Sequence, residues 1–152
     1  MKILDHLKKS SIIVGLKSVE KKGVIEELIM PIVPLTGTDH DELVSVLMDR
    51  EHLGSTGIGG GIGIPHGKLK SLDSLVVSFG LSHQGVDFES LDGRPTHIFF
   101  LLLTPENSTG LHLKLLARIS KILKNDSFKE SLLNAKDIEE VYSIIEADDE
   151  EF

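Results

Sequence analysis

The chain has 152 residues, with 24 acidic against 16 basic side chains, a formal charge of −8 and no cysteine. That length can bury roughly two-thirds of its unfolded surface around one core, so neither disulfides nor a structural metal is needed, and without cysteine there is no thiol nucleophile. The acidic balance and the scattering of Lys and Arg argue against a nucleic-acid surface. The charged opening Met1-Lys2-Ile3-Leu4-Asp5-His6 has no signal-peptide core, and the longest strongly apolar run, Ile98 to Leu103, is far too short to span a bilayer. A cytoplasmic protein without direct membrane insertion is the expectation.

Taken in chain order, Ser10 to Val14 reads as a short strand, and Ser18 as the cap of a helix with Ile25, Leu28, Ile29 and Ile32 on one face, ended or kinked by Pro31. A second helix opens on the capping box Asp39-x-x-Glu42 and closes near Gly54, with Leu43, Val46 and Leu47 at helical spacing. Leu75 to Leu81 and Thr96 to Leu103 read as strands separated by turn chemistry at Asp92-Gly93. The second of these has no polar alternation after His97, which implies a central strand buried on both faces. Ser108 or Thr109 opens a long helix reaching about Lys124, Ser127-x-x-Glu130 offers a further capping box, and Asp137-x-x-Glu140 begins a last helix carrying Val141, Ile144 and Ile145. The order predicts a three-layer α/β/α sandwich with a mixed sheet of about five strands. The tail from Glu146 to Glu151 is acidic and reads as solvated and frayed.

Between the second helix and the strands lies Gly57-Ile58-Gly59-Gly60-Gly61-Ile62-Gly63-Ile64-Pro65-His66-Gly67-Lys68. Glycine lacks Cβ and tolerates positive φ, so successive amides can converge on an anion, while Pro65 restrains the approach to His66. A phosphate-sized hollow beside one imidazole is expected. Known nucleotide loops do not fit. No register gives G-x-G-x-x-G, because the sixth position falls on Ile62, Ile64 or His66, and a Walker A loop would need glycine and Ser or Thr where Ile62 and Leu69 stand. A histidine is suited to reversible phosphoryl transfer: with an ordinary pKa near 6.5 it is largely neutral and nucleophilic at physiological pH, and it can leave again as imidazole.

Arg50-Glu51-x-Leu53-Gly54-Ser55-Thr56-Gly57-Ile58-Gly59, followed by Gly63-Ile64-Pro65-His66-Gly67-Lys68, resembles the signature of the fructose/mannitol-type enzyme IIA domains of the bacterial phosphoenolpyruvate-dependent phosphotransferase system, including the nitrogen-regulatory branch. Gly85-Val86-Asp87-Phe88, Asp92-Gly93, Phe100-Leu101-Leu102-Leu103-x-Pro105 and Leu111-His112-Leu113-x-x-Leu116-Ala117 follow the same family's order. The resemblance covers nearly the whole chain and implies one enzyme IIA type 2 domain over residues 1–147, with 148–152 as the acidic tail. It implies the three-layer fold, no metal or organic cofactor, and phosphorylation of His66 through Nε2. The phosphoryl donor would be a histidine-containing phosphocarrier protein. The acceptor would be a IIB protein or a regulatory target, and a chain without a cysteine module or membrane segment fits the regulatory branch better than a fused sugar permease. A soluble sugar-specific component passing phosphate to a IIB cysteine, and a binding module that takes no phosphate, are the alternatives.

Arg50 is the candidate for compensating phosphate charge, because a guanidinium matches phosphate oxygens in a fixed fork. His112, near the start of its helix, suits a neutral donor to the phosphate. Ser55, Thr56, Gly57 and Gly59 are the candidate phosphate cradle, and Lys68 reads as solvated. His6, His40 and His52 read as surface residues, His83 as a loop residue and His97 as the start of a strand. Ile58, Ile62 and Leu69 are expected to supply an apolar docking rim around His66.

Overall fold

The computed structural model describes residues 1–152. After a short 3-10 turn at Ile3–Asp5, the strands are β1 (Leu7–Val14), β2 (Gly57–Gly59), β3 (Ile62–Gly63), β4 (His66–Leu69), β5 (Val76–Val86) and β6 (Thr96–Pro105). The helices are α1 (Lys21–Ile29), α2 (Val33–Thr36), α3 (His40–His52), α4 (Thr109–Ile122), α5 (Asp126–Leu133) and α6 (Ile138–Ala147). One six-stranded mixed sheet runs β1-β5-β6-β3-β2, with β4 also paired to β6. β5 and β6 are antiparallel, whereas β1 runs parallel to β5 and both β3 and β4 run parallel to β6.

The apolar run of β6 is accounted for by two cores. Ile98, Phe100 and Leu102 belong to a 21-residue cluster completed by α4, α5 and α6. Phe99, Leu101 and Leu103 point the other way, into a 17-residue cluster with α1 and α3. Period-two alternation therefore persists, but both faces are buried and the polar member of each pair is lost. On β5 the smaller Gly80 lets α1 come close: a Cβ there would stand 2.6 Å from the Leu28 side chain.

Asp39 and Asp137 cap α3 and α6 as expected, accepting from the amides of Glu42 and Glu140. Two expected caps differ. Glu20, not Ser18, stands at the start of α1, and the Ser18 amide is taken by Glu27. Asn125, not Ser127, caps α5 by accepting from the Phe128 amide at 3.1 Å. The sheet has six strands rather than about five because the glycine run itself contributes β2 and β3.

The acidic tail does not fray in the structure. Asp149 is buried, and its carboxylate accepts from the amides of Ile3 at 2.8 Å and Leu4 at 2.9 Å. The Phe152 amide donates to Met1 O at 2.7 Å, and Arg118 donates to the Asp148 carbonyl. The amides at the start of the first turn lack partners of their own, and a carboxylate 146 residues away supplies them.

Candidate functional site

β4 carries His66 along β6 in the register His66↔Leu102 and Gly67↔Leu103. The pleat sends alternate side chains to opposite faces. His66 thus lies on the α4 side and Gly67 faces α3, where a Cβ would meet the Val46 side chain at 2.9 Å. Glycine at 67 permits that helix to pack against the strand beside the site.

The His66 ring is half-buried, and its Nδ1 lies 2.8 Å from the Ile64 carbonyl. A carbonyl can only accept, so Nδ1 carries the proton and the lone pair of the neutral ring is on Nε2. Burial pushes the His66 imidazole below the ordinary histidine range; the Ile64 carbonyl opposes this, the Arg50 charge adds to it and the Glu51 carboxylate counters. The ring is therefore neutral and nucleophilic at physiological pH. His112, buried in the first turn of α4, has its ring centroid 5.2 Å from that of His66. Its Nδ1 shares a hydrogen bond of 2.9 Å with the Thr104 hydroxyl. Burial first, then the neighbouring His66 and Lys68, lower the His112 pKa to about 4.

Arg50 sits in the last turn of α3, where its Nη1 donates to Gly54 O at 2.9 Å. It forms no ion pair with any carboxylate, despite the acidic excess of the chain. His66 and His112 are thus neighbours, and the uncompensated Arg50 charge acts on the His66 ring. Lys68 is exposed, but its ammonium donates to Thr109 Oγ1 at 3.1 Å, tying β4 to the start of α4.

The proposed cradle residues lie elsewhere or are engaged. Gly59, Gly60 and Gly61, with φ of 96°, 66° and 81°, form the hairpin turn between β2 and β3. That turn does meet an anion, but the anion is the protein's own: the Gly60 amide donates to Asp92 Oδ2 at 3.0 Å, and a Cβ on Gly59 would stand 3.3 Å from the same oxygen. Hydrogen bonds from the Arg94 and Gly60 amides and from Ser90 hold the Asp92 carboxyl below the usual carboxylate range. By register the turn lies near Ile98 and His66 near Leu102, roughly 13 Å apart along β6. Gly57 is a packing glycine, since a Cβ would stand 3.0 Å from the Ser90 Cα. The Ser55 hydroxyl donates to Phe88 O, and that of buried Thr56 donates to Glu51. None of these four residues offers a free side-chain donor to His66.

The expected docking rim changes too. Ile62 and Leu69 are each 5% exposed and belong to the two cores; only Ile58, at 45%, reaches the surface. Glu51 was not singled out by its position in the motif. It is a buried carboxylate that pairs with Lys21 and receives Thr56, and only the tertiary fold reveals it.

The titration of His112 has a consequence for stability. Its folded pKa of about 4 lies below the unfolded value near 6.5, so between these values the unfolded chain binds more protons. Stability is fully present above about 6.5 and falls as pH drops toward 4. The expected result is a denaturant midpoint that declines from pH 7 to pH 5, with a smaller decline in His112→Gln. A His112 ring that titrates at or above the ordinary histidine value by NMR would contradict this.

Residues 5–148 match the model of the family described as phosphoenolpyruvate-dependent sugar phosphotransferase system, EIIA 2. The chain is 38% identical over 145 residues to the nitrogen regulatory protein of Bradyrhizobium diazoefficiens, covering 95% of each. It is 36% identical over 151 residues to the fructose-specific EIIABC component of Bacillus subtilis, covering 98% of this chain and 24% of that one. The crystal structure of the nitrogen regulatory protein IIA-Ntr from Neisseria meningitidis superposes with a TM-score of 0.88 at 33% identity, over 93% of this chain and 97% of that one.

Proposed function

Because the chain belongs to the EIIA 2 family of the phosphoenolpyruvate-dependent sugar phosphotransferase system, we propose that His66 accepts a phosphoryl group from the phosphohistidine of a histidine-containing phosphocarrier protein. The group is then passed on to a protein acceptor or held as a regulatory mark. The observation that carries this reading is the His66 ring itself: Nδ1 is engaged by the Ile64 carbonyl, and Nε2 is left as the nucleophile.

In the transfer, the Nε2 lone pair forms the new N–P bond as the donor's N–P bond breaks, and that electron pair stays on the donor imidazole. Both ends are histidines, so the task of the site is alignment and charge compensation. Arg50 supplies the positive charge. A neutral His112 can donate from Nε2 to a phosphoryl oxygen when Thr104 donates to its Nδ1. Incubation with phosphoenolpyruvate, enzyme I and the phosphocarrier, followed by intact mass measurement, tests the reading. One acid-labile phosphoryl group per chain is expected, and an unmodified chain would refute it.

The nitrogen-regulatory role is favoured by the relatives of that name, including the Neisseria structure. The similarity to a fructose-specific component supports a second reading, in which His66 supplies a IIB cysteine and ultimately a sugar. Phosphate reaching fructose or mannitol when IIB and membrane components are added would select it.

Arg50→Lys keeps the charge but loses the fork, and His112→Ala removes the neutral donor. Each should slow transfer by roughly ten- to a thousandfold, the scale of losing one charge-stabilising donor. Single-turnover rates measured by rapid quench report this. Unchanged rates would return both residues to purely structural roles.

A further inference from the structure

Glu51 lies one residue beyond Arg50, at 4% exposure. Its Oε1 accepts from the Thr56 amide at 3.0 Å and pairs with Lys21 Nζ at 2.9 Å, and its Oε2 accepts from the Thr56 hydroxyl. Lys21 is itself buried and lies 4.9 Å from the centre of the Phe88 ring. A buried ion pair adds little net stability over apolar packing of the same volume, so stability alone does not account for this one.

From Thr56 the connection runs to the reacting ring through two hydrogen bonds. The Ile64 amide donates to the Thr56 carbonyl at 3.0 Å, and the Ile64 carbonyl faces His66 Nδ1 at 2.8 Å. Ile64, whose carbonyl sets the tautomer of His66, is therefore tied through its amide to Thr56, which Glu51 grips at both its amide and its side chain. On the other side of the Ile64 carbonyl the chain is anchored again at Pro65, whose own carbonyl accepts from the Leu102 amide at 2.9 Å.

We propose that Glu51, fixed by Lys21, is a positioning residue for His66: through Thr56 and Ile64 it keeps the proton on Nδ1 and Nε2 free for phosphoryl transfer. The proposal rests on His66 as the phosphoryl acceptor. The strap also places Arg50 and the His66 tautomer under one element, since Glu51 closes the turn whose Gly54 carbonyl receives the Arg50 guanidinium.

Two double variants separate the strap from its charge. Lys21→Met with Glu51→Gln removes both charges but leaves an amide oxygen for the Thr56 amide, whereas Lys21→Met with Glu51→Ala removes the strap. Removing the Glu51 carboxylate takes away an influence that raises the His66 pKa, so both should lower it alike. Only the Ala variant should lose the Nδ1–H tautomer, read from imidazole 15N shifts. That variant should also slow transfer at saturating phosphocarrier by about ten- to a hundredfold, on the scale of a small misplacement of the reacting group, with KM little changed. The Gln variant should transfer within about threefold of the parent. Thr56→Val, which keeps Lys21 and Glu51 paired, should shift tautomer and rate in the same direction by less, and it provides the test if the Ala variant fails to fold. A wild-type tautomer and rate in the folded Ala variant, or in Thr56→Val where it alone folds, would overturn the proposal. A parent chain that takes no phosphate would instead overturn the reading of His66, and the tautomer would still report on Glu51.

Discussion

Replacing His66 with Ala should abolish phosphoryl acceptance and leave the fold standing. The half-buried ring makes one hydrogen bond, to the Ile64 carbonyl, and its other close neighbour is His112. The strand keeps its ladder because the bonds that hold β4 come from the backbone, including the Leu102 amide to Pro65 O at 2.9 Å. The stability loss should stay near the typical single-substitution value of about 1 kcal/mol. Loss of phosphorylation should be complete, since no cysteine offers a substitute and the adjacent His112 is buried with Nδ1 engaged by Thr104. Removing His66 also removes one of the influences that depress His112, so the His112 ring should titrate above its present value of about 4 while burial still keeps it low. Intact mass after incubation with the phosphorylated carrier, with circular dichroism on the same sample, reads all but the titration. An acid-labile phosphate on a folded His66→Ala chain would place the acceptor elsewhere.

The three-layer arrangement was legible because local signals agreed with it. The apolar β6 run needed helices above and below, and the Asp39 and Asp137 caps satisfy helix amides three residues on, within the reach of a local pattern. His66 was legible as a candidate because the glycine run and Pro65 adjoin it in the chain, but its tautomer was not, since the Ile64 carbonyl that fixes it is placed against the ring only by the fold. The rest depended on residues far apart in the chain. The Gly60 amide does bind a carboxylate, but Asp92 comes from the β5–β6 connection, 32 residues further along the chain. The grip of Lys21 on Glu51 spans 30 positions, and an acidic terminus reads as solvated until the unpartnered amides of Ile3 and Leu4 appear beside Asp149. Glycine-rich β2 and β3 carry little strand propensity, and they join the sheet only through the pairing of β2 with β3 and of β3 with β6.

Ile62→Asp should therefore unfold the protein rather than weaken its docking. Ile62 is in register with Ile98 and belongs to the 21-residue core, so a carboxylate there would lose its hydration inside an apolar cluster. The cost should reach about 4 kcal/mol or more, the range of substitutions that bury an unpaired charge, against a total of about 5 to 15 kcal/mol for a typical domain. Ile58→Asp, one turn of the same hairpin away and 45% exposed, should change stability by no more than about 0.5 kcal/mol. The pair separates the two roles that an apolar residue of this hairpin can play. Thermal midpoints should fall sharply for Ile62→Asp, with phosphoryl transfer lost in proportion to the unfolded fraction. Ile58→Asp should keep the parent midpoint, so that any slowing of transfer belongs to contact with the carrier. An Ile62→Asp chain that melts with the parent and loses only transfer would return that side chain to the surface rim and contradict its place in the core.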